Sequence, residues 1–216
     1  GSVNGIEGLI KDNLVDLCDI IKSDEDVELI RQTPSTVLGS CRYKLPNYKD
    51  DSSVYETILK TLKKHDIGAF FYIGGNDSMD TVNKLSEYFR QEGIDIKVIG
   101  IPKTIDNDLC ITDHTPGFGS AAKYVAATMR EIVRDSSVYS IPSVTIVEVM
   151  GRGAGHIAVE VGIATGAELI FVPEKDADTS KSELIDRIVA KVEEGKKVGR
   201  KHHIVVVAEG ISGSAD

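Results

Sequence analysis

The stretch KVIGIPKTIDND at residues 97–108 decides the fold, because it joins an apolar run to a charged loop. The run at 96–101 is short and rich in Ile and Val, as expected of a strand buried in a parallel sheet. The loop that follows it carries one lysine and two carboxylates, Lys103, Asp106 and Asp108. A cation and two anions at the end of a strand suit a site that handles phosphate and Mg²⁺.

Further apolar runs of the same kind predict the other strands, at residues 69–74, 143–149, 168–172 and 203–208. Amphipathic segments between them predict helices around the apolar stripes 79–89 and 184–192. Further helices are predicted at 117–134, at 153–165, where small residues allow close packing, and at 25–32 and 54–65, before the first strand. Ser182 is the expected cap of the helix around 184–192 and Gly195 its expected stop. Alternating strands and helices predict an α/β fold, a Rossmann-like three-layer sandwich with a mostly parallel central sheet.

The composition argues against several classes of protein. The chain has 216 residues and a net charge of −9, whereas a nucleic-acid-binding protein normally carries a basic face. Neither a run of ~18 apolar residues nor a secretory signal is present in the sequence. Three widely spaced cysteines, Cys18, Cys41 and Cys110, fit reduced thiols without a metal-binding pattern. We therefore expect a cytoplasmic protein that binds neither nucleic acid nor a membrane.

The ends of the chain suggest a fragment. It begins abruptly with GSVNGIEGLI, and the run at 203–208 is followed by a polar tail that ends at Asp216. Residues 1–65 are less regular, and residues 66–216 form the expected βα core. We expect a domain that is truncated at both ends.

A second loop of interest is GGNDS, residues 74–78, after the first predicted strand. Gly74 and Gly75 allow a close approach of the backbone, and the start of the following helix can bind an anion. The alternative is an ordinary strand–helix turn in which Asn76, Asp77 or Ser78 caps the helix.

The loop PKTIDND, residues 102–108, is the stronger of the two signals. Asp106 and Asp108 lie two residues apart, so they face the same side of an extended loop. One could accept a proton from a substrate hydroxyl and the other could hold Mg²⁺, while Lys103 suits a phosphate. A polar loop with Asx turns would explain Asn107 and one aspartate, but not the lysine and both carboxylates.

Other charged residues are ambiguous taken singly. Arg152 lies in MGRGAG, residues 150–155, where it could bind phosphate or pair with a surface carboxylate. Arg42 has the same two interpretations. Glu209 follows the last strand, at the end where ligands bind in open α/β sheets, but it could equally be a solvated carboxylate.

Taken together, these motifs resemble the phosphofructokinase family, over essentially the whole chain. The matching segments, in the order and spacing of that family, are GGNDS (74–78), PKTIDND (102–108), TPGFGSA (115–121), VMGR (149–152), VPE (172–174) and AEG (208–210). LGSCRY (38–43) and the opening residues 1–9 fit as well.

The resemblance implies phosphoryl transfer to the 1-hydroxyl of fructose 6-phosphate, with Mg²⁺ as cofactor. It makes Asp106 the general base, assisted by Asp108, with Thr104 positioning the reacting groups. Met150, Gly151, Arg152, Thr104 and Glu209 are then the sugar-phosphate residues. Gly75, Asp77, Ser78, Lys103 and Arg42 are the donor-phosphate residues, and Asn76, Asp77 and Asp108 are the candidate Mg²⁺ ligands.

The resemblance also indicates the donor. Members that use ATP tend to have glycine where this chain has Asp77 and Lys103. The carboxylate of Asp77 would repel the α-phosphate of ATP, whereas Lys103 can bind pyrophosphate and can pair with Asp77 in the empty site. The sequence therefore resembles the pyrophosphate-dependent branch, with the ATP-dependent enzyme as the alternative.

Some features depart from the family pattern. Asn76 stands where an aspartate is common, and Ser143 stands where many bacterial members have an arginine that reaches a neighbouring subunit. These two residues motivate a rival interpretation, a non-catalytic regulatory subunit that binds sugar phosphate. The family's first strand, with its donor-binding Gly-rich loop, and its C-terminal part are expected to be missing. The fragment alone is expected to turn over poorly, and the full-length protein is expected to be a homo-oligomer, a dimer or a tetramer.

Overall fold

The structure is a computed structural model that describes residues 1–211; the last residues of the expected polar tail, 212–216, lie outside the described part. The chain divides into two units, Gly1–Pro102 and Lys103–Asp216. This boundary falls inside the expected 66–216 core, and the expected subdivision at residue 65 stays a prediction. Within residues 1–211, no helix is both long and apolar enough to cross a membrane.

The first unit contains helices and one parallel strand pair. Its helices are α1 (Ile6–Ile10), α2 (Leu17–Ile20), α3 (Asp24–Gln32), α4 (Ser53–Lys64) and α5 (Asn76–Gln91). Its strands are β1 (Ala69–Gly74) and β2 (Lys97–Pro102), which pair in parallel from Ala69 opposite Lys97 to Gly74 opposite Pro102. The two loops singled out in the sequence therefore follow neighbouring strands that end at the same level.

The core of this unit lies between α4, α5 and the strand pair. Tyr55, Ile58 and Leu62 recur at helical spacing on α4, and all three are buried. Leu85 and Phe89 of α5 join the same cluster, which confirms the apolar stripe predicted at 79–89.

The second unit is built on a three-stranded parallel sheet. Its helices are α6 (Phe118–Ser137), α7 (His156–Thr165), α8 (Pro173–Asp176) and α9 (Lys181–Lys197), and a short 3-10 helix covers Glu209–Ile211. Its strands are β3 (Ser143–Val149), β4 (Leu169–Phe171) and β5 (His202–Ala208), in the order β3-β5-β4. Ile157, Ala158 and Val161 of α7 pack on the buried residues of β5.

The predicted parallel sheet is confirmed, since every strand pair in the described residues is parallel and each strand lies within a residue or two of its predicted position. The prediction that these strands are buried on both faces holds for β5 only. On β1, Phe71 and Ile73 are 57% and 65% exposed, and β2 and β3 alternate in the same way. An apolar run predicts a strand, but it does not reveal how much of each sheet face is covered.

The predicted ends of α9 are wrong. Ser180, not Ser182, caps the helix by accepting a hydrogen bond from the N–H of Glu183 at 3.3 Å. Gly195 does not stop the helix but lies inside it, where a Cβ would overlap the ring of the buried His203. The glycine is therefore required by packing, and packing is not visible in local sequence.

Candidate active site

The loop between β2 and α6, residues 103–117, carries three of the charged residues that the sequence singled out, Lys103, Asp106 and Asp108. Its backbone turns sharply, with positive φ angles of 60° at Asn107 and 61° at Ile111. Thr104 forms an isolated parallel bridge with Gly117, so the two ends of the loop lie side by side. The loop is therefore closed, with its two ends adjacent.

Asp106 lies half-buried near the start of this loop, and its backbone N–H donates to Oγ1 of Thr104 at 3.1 Å. Burial raises the pKa of the Asp106 carboxyl above its ordinary value of 3.8; two neighbouring carboxylates raise it further, and two cations oppose them. The carboxylates are Asp108 and Glu209, and the cations are Arg152 and Lys103. Within the second unit, four charged side chains that the sequence predicted for the site thus lie near enough to Asp106 to shift its pKa.

The loops after β3 and β5 meet through their backbones. The N–H of Gly210 donates to the carbonyl of Gly151 at 3.1 Å. A Cβ on Gly210 would overlap the carbonyl of Arg152, and Gly151 has a positive φ of 140° that favours glycine. Met150 and Arg152 are both exposed at this edge, so their side chains are accessible to a ligand.

In the first unit, β1 passes directly into α5 through residues 74–78. Gly75 precedes the helix, and no side chain among residues 1–211 caps it, so the alternative prediction of a cap by Asn76, Asp77 or Ser78 is wrong. The first-turn N–H groups and the positive end of the helix dipole are therefore available to an anion. Asn76 and Asp77 are exposed.

Tyr72 supports this loop from β1. Its phenol lies near Ser78, Ile6 and Cys41, and burial together with the neighbouring Cys41 raises its pKa above the ordinary 10.0. Cys41 precedes Arg42, whose side chain is exposed. Tyr72 therefore lies near both Cys41, which precedes Arg42, and the loop that carries Ser78.

The predicted site residues fall into two sets, one in each unit. The second unit holds Lys103, Thr104, Asp106, Asp108, Met150, Gly151, Arg152 and Glu209. The first unit holds Arg42, Gly75, Asn76, Asp77 and Ser78. The expected pairing of Lys103 with Asp77 joins the two units and stays a prediction.

Asp106 and Asp108 fit a divalent cation that takes its remaining ligands from elsewhere. Within the described residues, no cluster of three or more His, Cys, Asp or Glu side chains could hold a metal alone. The charge of Asp108 helps to raise the pKa of Asp106, and a cation beside them would relieve that repulsion. Because Mg²⁺ commonly binds through one or two carboxylates together with substrate phosphates, the pair is suited to it.

The sequence did not predict how three residues shape these loops: Tyr72, Thr115, and Asn107, which was considered only as a turn residue. Tyr72 sits in an apolar run, and the only signal was that a buried tyrosine needs a partner for its hydroxyl. Asn107 could have been found from its place between two aspartates, since asparagine tolerates the left-handed conformation. Thr115 gave no local signal, because its partner Thr104 is distant in sequence.

Comparison with known proteins places these loops in context. A family model described as phosphofructokinase matches residues 1–216. The pyrophosphate–fructose 6-phosphate 1-phosphotransferase of Halomonas elongata is 40% identical over 215 residues, which cover 96% of this chain and 49% of that protein. The ATP-dependent 6-phosphofructokinase of Thermoanaerobacter sp. is 37% identical over 211 residues, which cover 98% of this chain and 59% of that protein. Relatives of both donor classes are thus similar to this chain at comparable identity.

Two solved structures are also similar to this chain over nearly its whole length. The pyrophosphate-dependent phosphofructokinase of Nitrosospira multiformis superposes with a TM-score of 0.81 and 39% identity, covering 99% of this chain and 52% of that one. The enzyme of the same description from Marinobacter aquaeolei gives a TM-score of 0.78 and 38% identity, covering 97% of this chain and 51% of that one. The chain therefore spans about half the length of the relatives named as pyrophosphate-dependent.

Proposed function

Because the chain belongs to the phosphofructokinase family, we propose that it forms part of an enzyme that transfers a phosphoryl group from pyrophosphate to the 1-hydroxyl of fructose 6-phosphate. The observation that carries the proposal is the environment of Asp106. Burial and two carboxylates raise the pKa of this half-buried carboxyl, and two cations lower it. A general base needs a pKa above that of an ordinary carboxyl, and the cations suit a site for transferred phosphate.

In this proposal, Asp106 accepts the proton of the 1-hydroxyl as that oxygen attacks one phosphorus of pyrophosphate. The bond from that phosphorus to the bridging oxygen breaks, and orthophosphate leaves. Asp108 assists the base and helps to hold Mg²⁺, and Thr104 holds the backbone of Asp106 in place. Proton removal by a carboxylate is adequate here, because phosphoryl transfer depends mainly on alignment and charge stabilisation.

The acceptor is assigned to the edge where the loops after β3 and β5 meet. Arg152 binds the sugar phosphate with a bidentate fork, Glu209 accepts hydrogen bonds from sugar hydroxyls, and Met150 and Gly151 line the ring. The contact between Gly151 and Gly210 supports this assignment, since it holds the loops of Arg152 and Glu209 together.

The donor is assigned to residues of both loops. Gly75 offers its backbone N–H at the start of α5, and Ser78 lies in the first turn of that helix. Lys103 and Arg42 neutralise phosphate oxygens. Asp77 opposes the α-phosphate of a nucleotide, which a pyrophosphate donor lacks. The uncapped helix start supports this assignment.

Mg²⁺ belongs to the proposal as a cofactor held by Asp108, with Asn76 and Asp77 as further candidate ligands. When bound, it would neutralise the charge of the phosphate groups. Asn76 is a weaker ligand than a carboxylate, so phosphate oxygens and water would complete the coordination.

A donor assay on the full-length protein tests the proposal, with Asp77→Gly and Lys103→Gly as the informative variants. We expect the wild type to use pyrophosphate in preference to ATP. Lys103→Gly should reduce kcat/KM for pyrophosphate by roughly 10-fold to 100-fold, the worth of a hydrogen bond to a charged group. Asp77→Gly should raise the ratio of ATP use to pyrophosphate use.

The matched control for these variants is Lys97→Gly, at an exposed lysine of β2 that pairs with Asp95. Unchanged pyrophosphate kinetics in both Asp77→Gly and Lys103→Gly would remove the donor assignment. A wild type that binds fructose 6-phosphate tightly and turns over neither donor would instead favour the regulatory subunit.

The second candidate is the ATP-dependent reaction on the same sugar, favoured by the similarity to the Thermoanaerobacter relative. The same assay separates it from the first. For the full-length protein we also propose a cytoplasmic homo-oligomer, a dimer or a tetramer, and size-exclusion chromatography with light scattering tests its size.

A further inference from the structure

We infer that Asn107 and Thr115 are positioning residues, which hold the general base Asp106 in place by closing the loop of residues 103–117. This inference rests on the proposed function, because it assigns these residues a role in the reaction of that site. Two observations carry it: a set of hydrogen bonds across the loop, and the burial of Thr115.

Asn107 uses both ends of its side-chain amide within the loop. Its Nδ2 donates to the carbonyl of Asp113 at 3.1 Å, and its Oδ1 accepts from the N–H of Thr115 at 2.9 Å. Its positive φ of 60° turns the chain between the two aspartates, a conformation that asparagine tolerates better than most residues. The amide therefore ties the turn that follows Asp106 to the far side of the loop.

Thr115 carries the connection onward to Asp106. Its hydroxyl donates to the carbonyl of Thr104 at 2.8 Å, and Oγ1 of Thr104 accepts from the N–H of Asp106 at 3.1 Å. Thr115 is only 4% exposed, so removal of its hydroxyl would leave the Thr104 carbonyl short of a partner in a dry environment. An unbroken series of hydrogen bonds thus runs from Asn107 through Thr115 and Thr104 to Asp106.

The geometry assigns these side chains to positioning rather than to contact with substrate. The amide of Asn107 spends an acceptor and a donor on the loop itself, and Thr115 is buried. What they control is where the Asp106 carboxylate sits relative to its substrate. Misplacement of a reacting group by about 1 Å can cost ~10²-fold in rate. Loss of these hydrogen bonds should therefore lower kcat and leave KM little changed.

The test uses the full-length protein and four variants: Asn107→Gly, Thr115→Val, Thr115→Ser and Thr112→Val. Glycine keeps the left-handed turn and removes the amide, whereas valine keeps the shape of threonine and removes the hydroxyl. Serine restores the hydroxyl. Thr112→Val is the matched control, because Thr112 is an exposed residue of the same loop. Within residues 1–211 its hydroxyl donates only to the carbonyl of the nearby Cys110.

We expect Asn107→Gly and Thr115→Val to lower kcat by roughly 10-fold to 100-fold, with the KM of both substrates within about threefold of wild type. Thr115→Ser and Thr112→Val should stay within about threefold of wild-type kcat. Hydrogen exchange of peptides from residues 103–117 should accelerate in the first two variants only, and this readout does not depend on turnover.

Two results would overturn the inference alone: wild-type kcat in Thr115→Val, or equal losses in Thr115→Ser and Thr115→Val. A variant that loses thermal stability but keeps kcat per folded molecule would show a purely structural role. If Asn107→Gly fails to fold, the valine and serine pair still decides. A wild type inactive with every donor would overturn the proposed function, and the positioning role with it.

Discussion

The loops after β1 and β2 follow neighbouring parallel strands, yet they are built in opposite ways. Residues 74–78 form a direct passage from strand to helix, shaped by two glycines and an uncapped helix start. Residues 103–117 form a long closed loop, which is held by hydrogen bonds of the side chains of Asn107, Thr104 and Thr115. A compact anion can be held by backbone groups alone, whereas a proton acceptor must be held at a defined point by side chains.

The largest effect expected from this comparison is at Asp106. Asp106→Asn in the full-length protein should lower kcat about 10³-fold, because the base is lost. Thermal stability at neutral pH should not fall. With its pKa raised in the native state, the folded protein binds this proton more tightly than the unfolded chain, so its contribution to stability declines as pH rises through the native pKa. The neutral amide removes that cost.

Steady-state kinetics and thermal unfolding measure both parts of this prediction. Asp113→Asn is the control, because that exposed aspartate lies in the same loop. Among residues 1–211, only its backbone carbonyl accepts a hydrogen bond, from the side chain of Asn107. Retention of more than about a tenth of the wild-type kcat in Asp106→Asn would show that the side-chain loop does not hold the base.

A smaller effect is expected from the backbone loop. A Cβ at Gly74 would overlap the side chain of Ser78, and overpacking typically costs about 1–3 kcal/mol. Gly74→Ala should therefore raise the KM for pyrophosphate roughly tenfold and leave the KM for fructose 6-phosphate within about twofold.

Gly68→Ala is the matched control for that variant, because a Cβ at Gly68, just before β1, meets no atom of residues 1–211 within 4 Å. The comparison between backbone and side-chain loops fails if Gly74→Ala affects both substrates alike, or if Gly68→Ala matches it.

The smallest expected effect is a shift in pH dependence. Burial is the largest cause of the raised pKa of Asp106, and the charges of Asp108 and Glu209 raise it further. Arg152 and Lys103 lower it. Asp108→Asn removes a like charge, so the acid limb of kcat/KM should move to lower pH, whereas Lys103→Ala should move it to higher pH. A pH series on the full-length variants measures both directions, and a shift of the same sign in both would contradict this picture.

Sequence predicted the strands, their parallel pairing and the charged loops, because apolar runs and polar strand ends are local signals. It did not predict the ends of α9, since Gly195 is fixed by packing against His203 from another element. It left two possibilities open for the start of α5, a free anion-binding helix end or a cap by Asn76, Asp77 or Ser78, and the structure shows no side-chain cap among its described residues.

The candidate site shows the same division. The sequence identified the charged residues of the second unit, because their residue types and places after strands carry the signal. It did not identify Thr115, whose role depends on a hydrogen bond to Thr104 across the loop. Side chains that carry chemistry are visible in sequence, whereas the residues that orient them become visible only when the chain is folded.

The main-chain contact between Gly151 and Gly210 has a consequence for enzyme engineering. A Cβ at Gly210 would overlap the carbonyl of Arg152, and one at Gly151 would overlap the carbonyl of Ala154, so neither glycine offers a way to reshape the proposed acceptor site. Met150, which is 57% exposed beside them, can change in volume without that penalty. Under the proposed function, attempts to admit a larger or smaller sugar would therefore start at Met150.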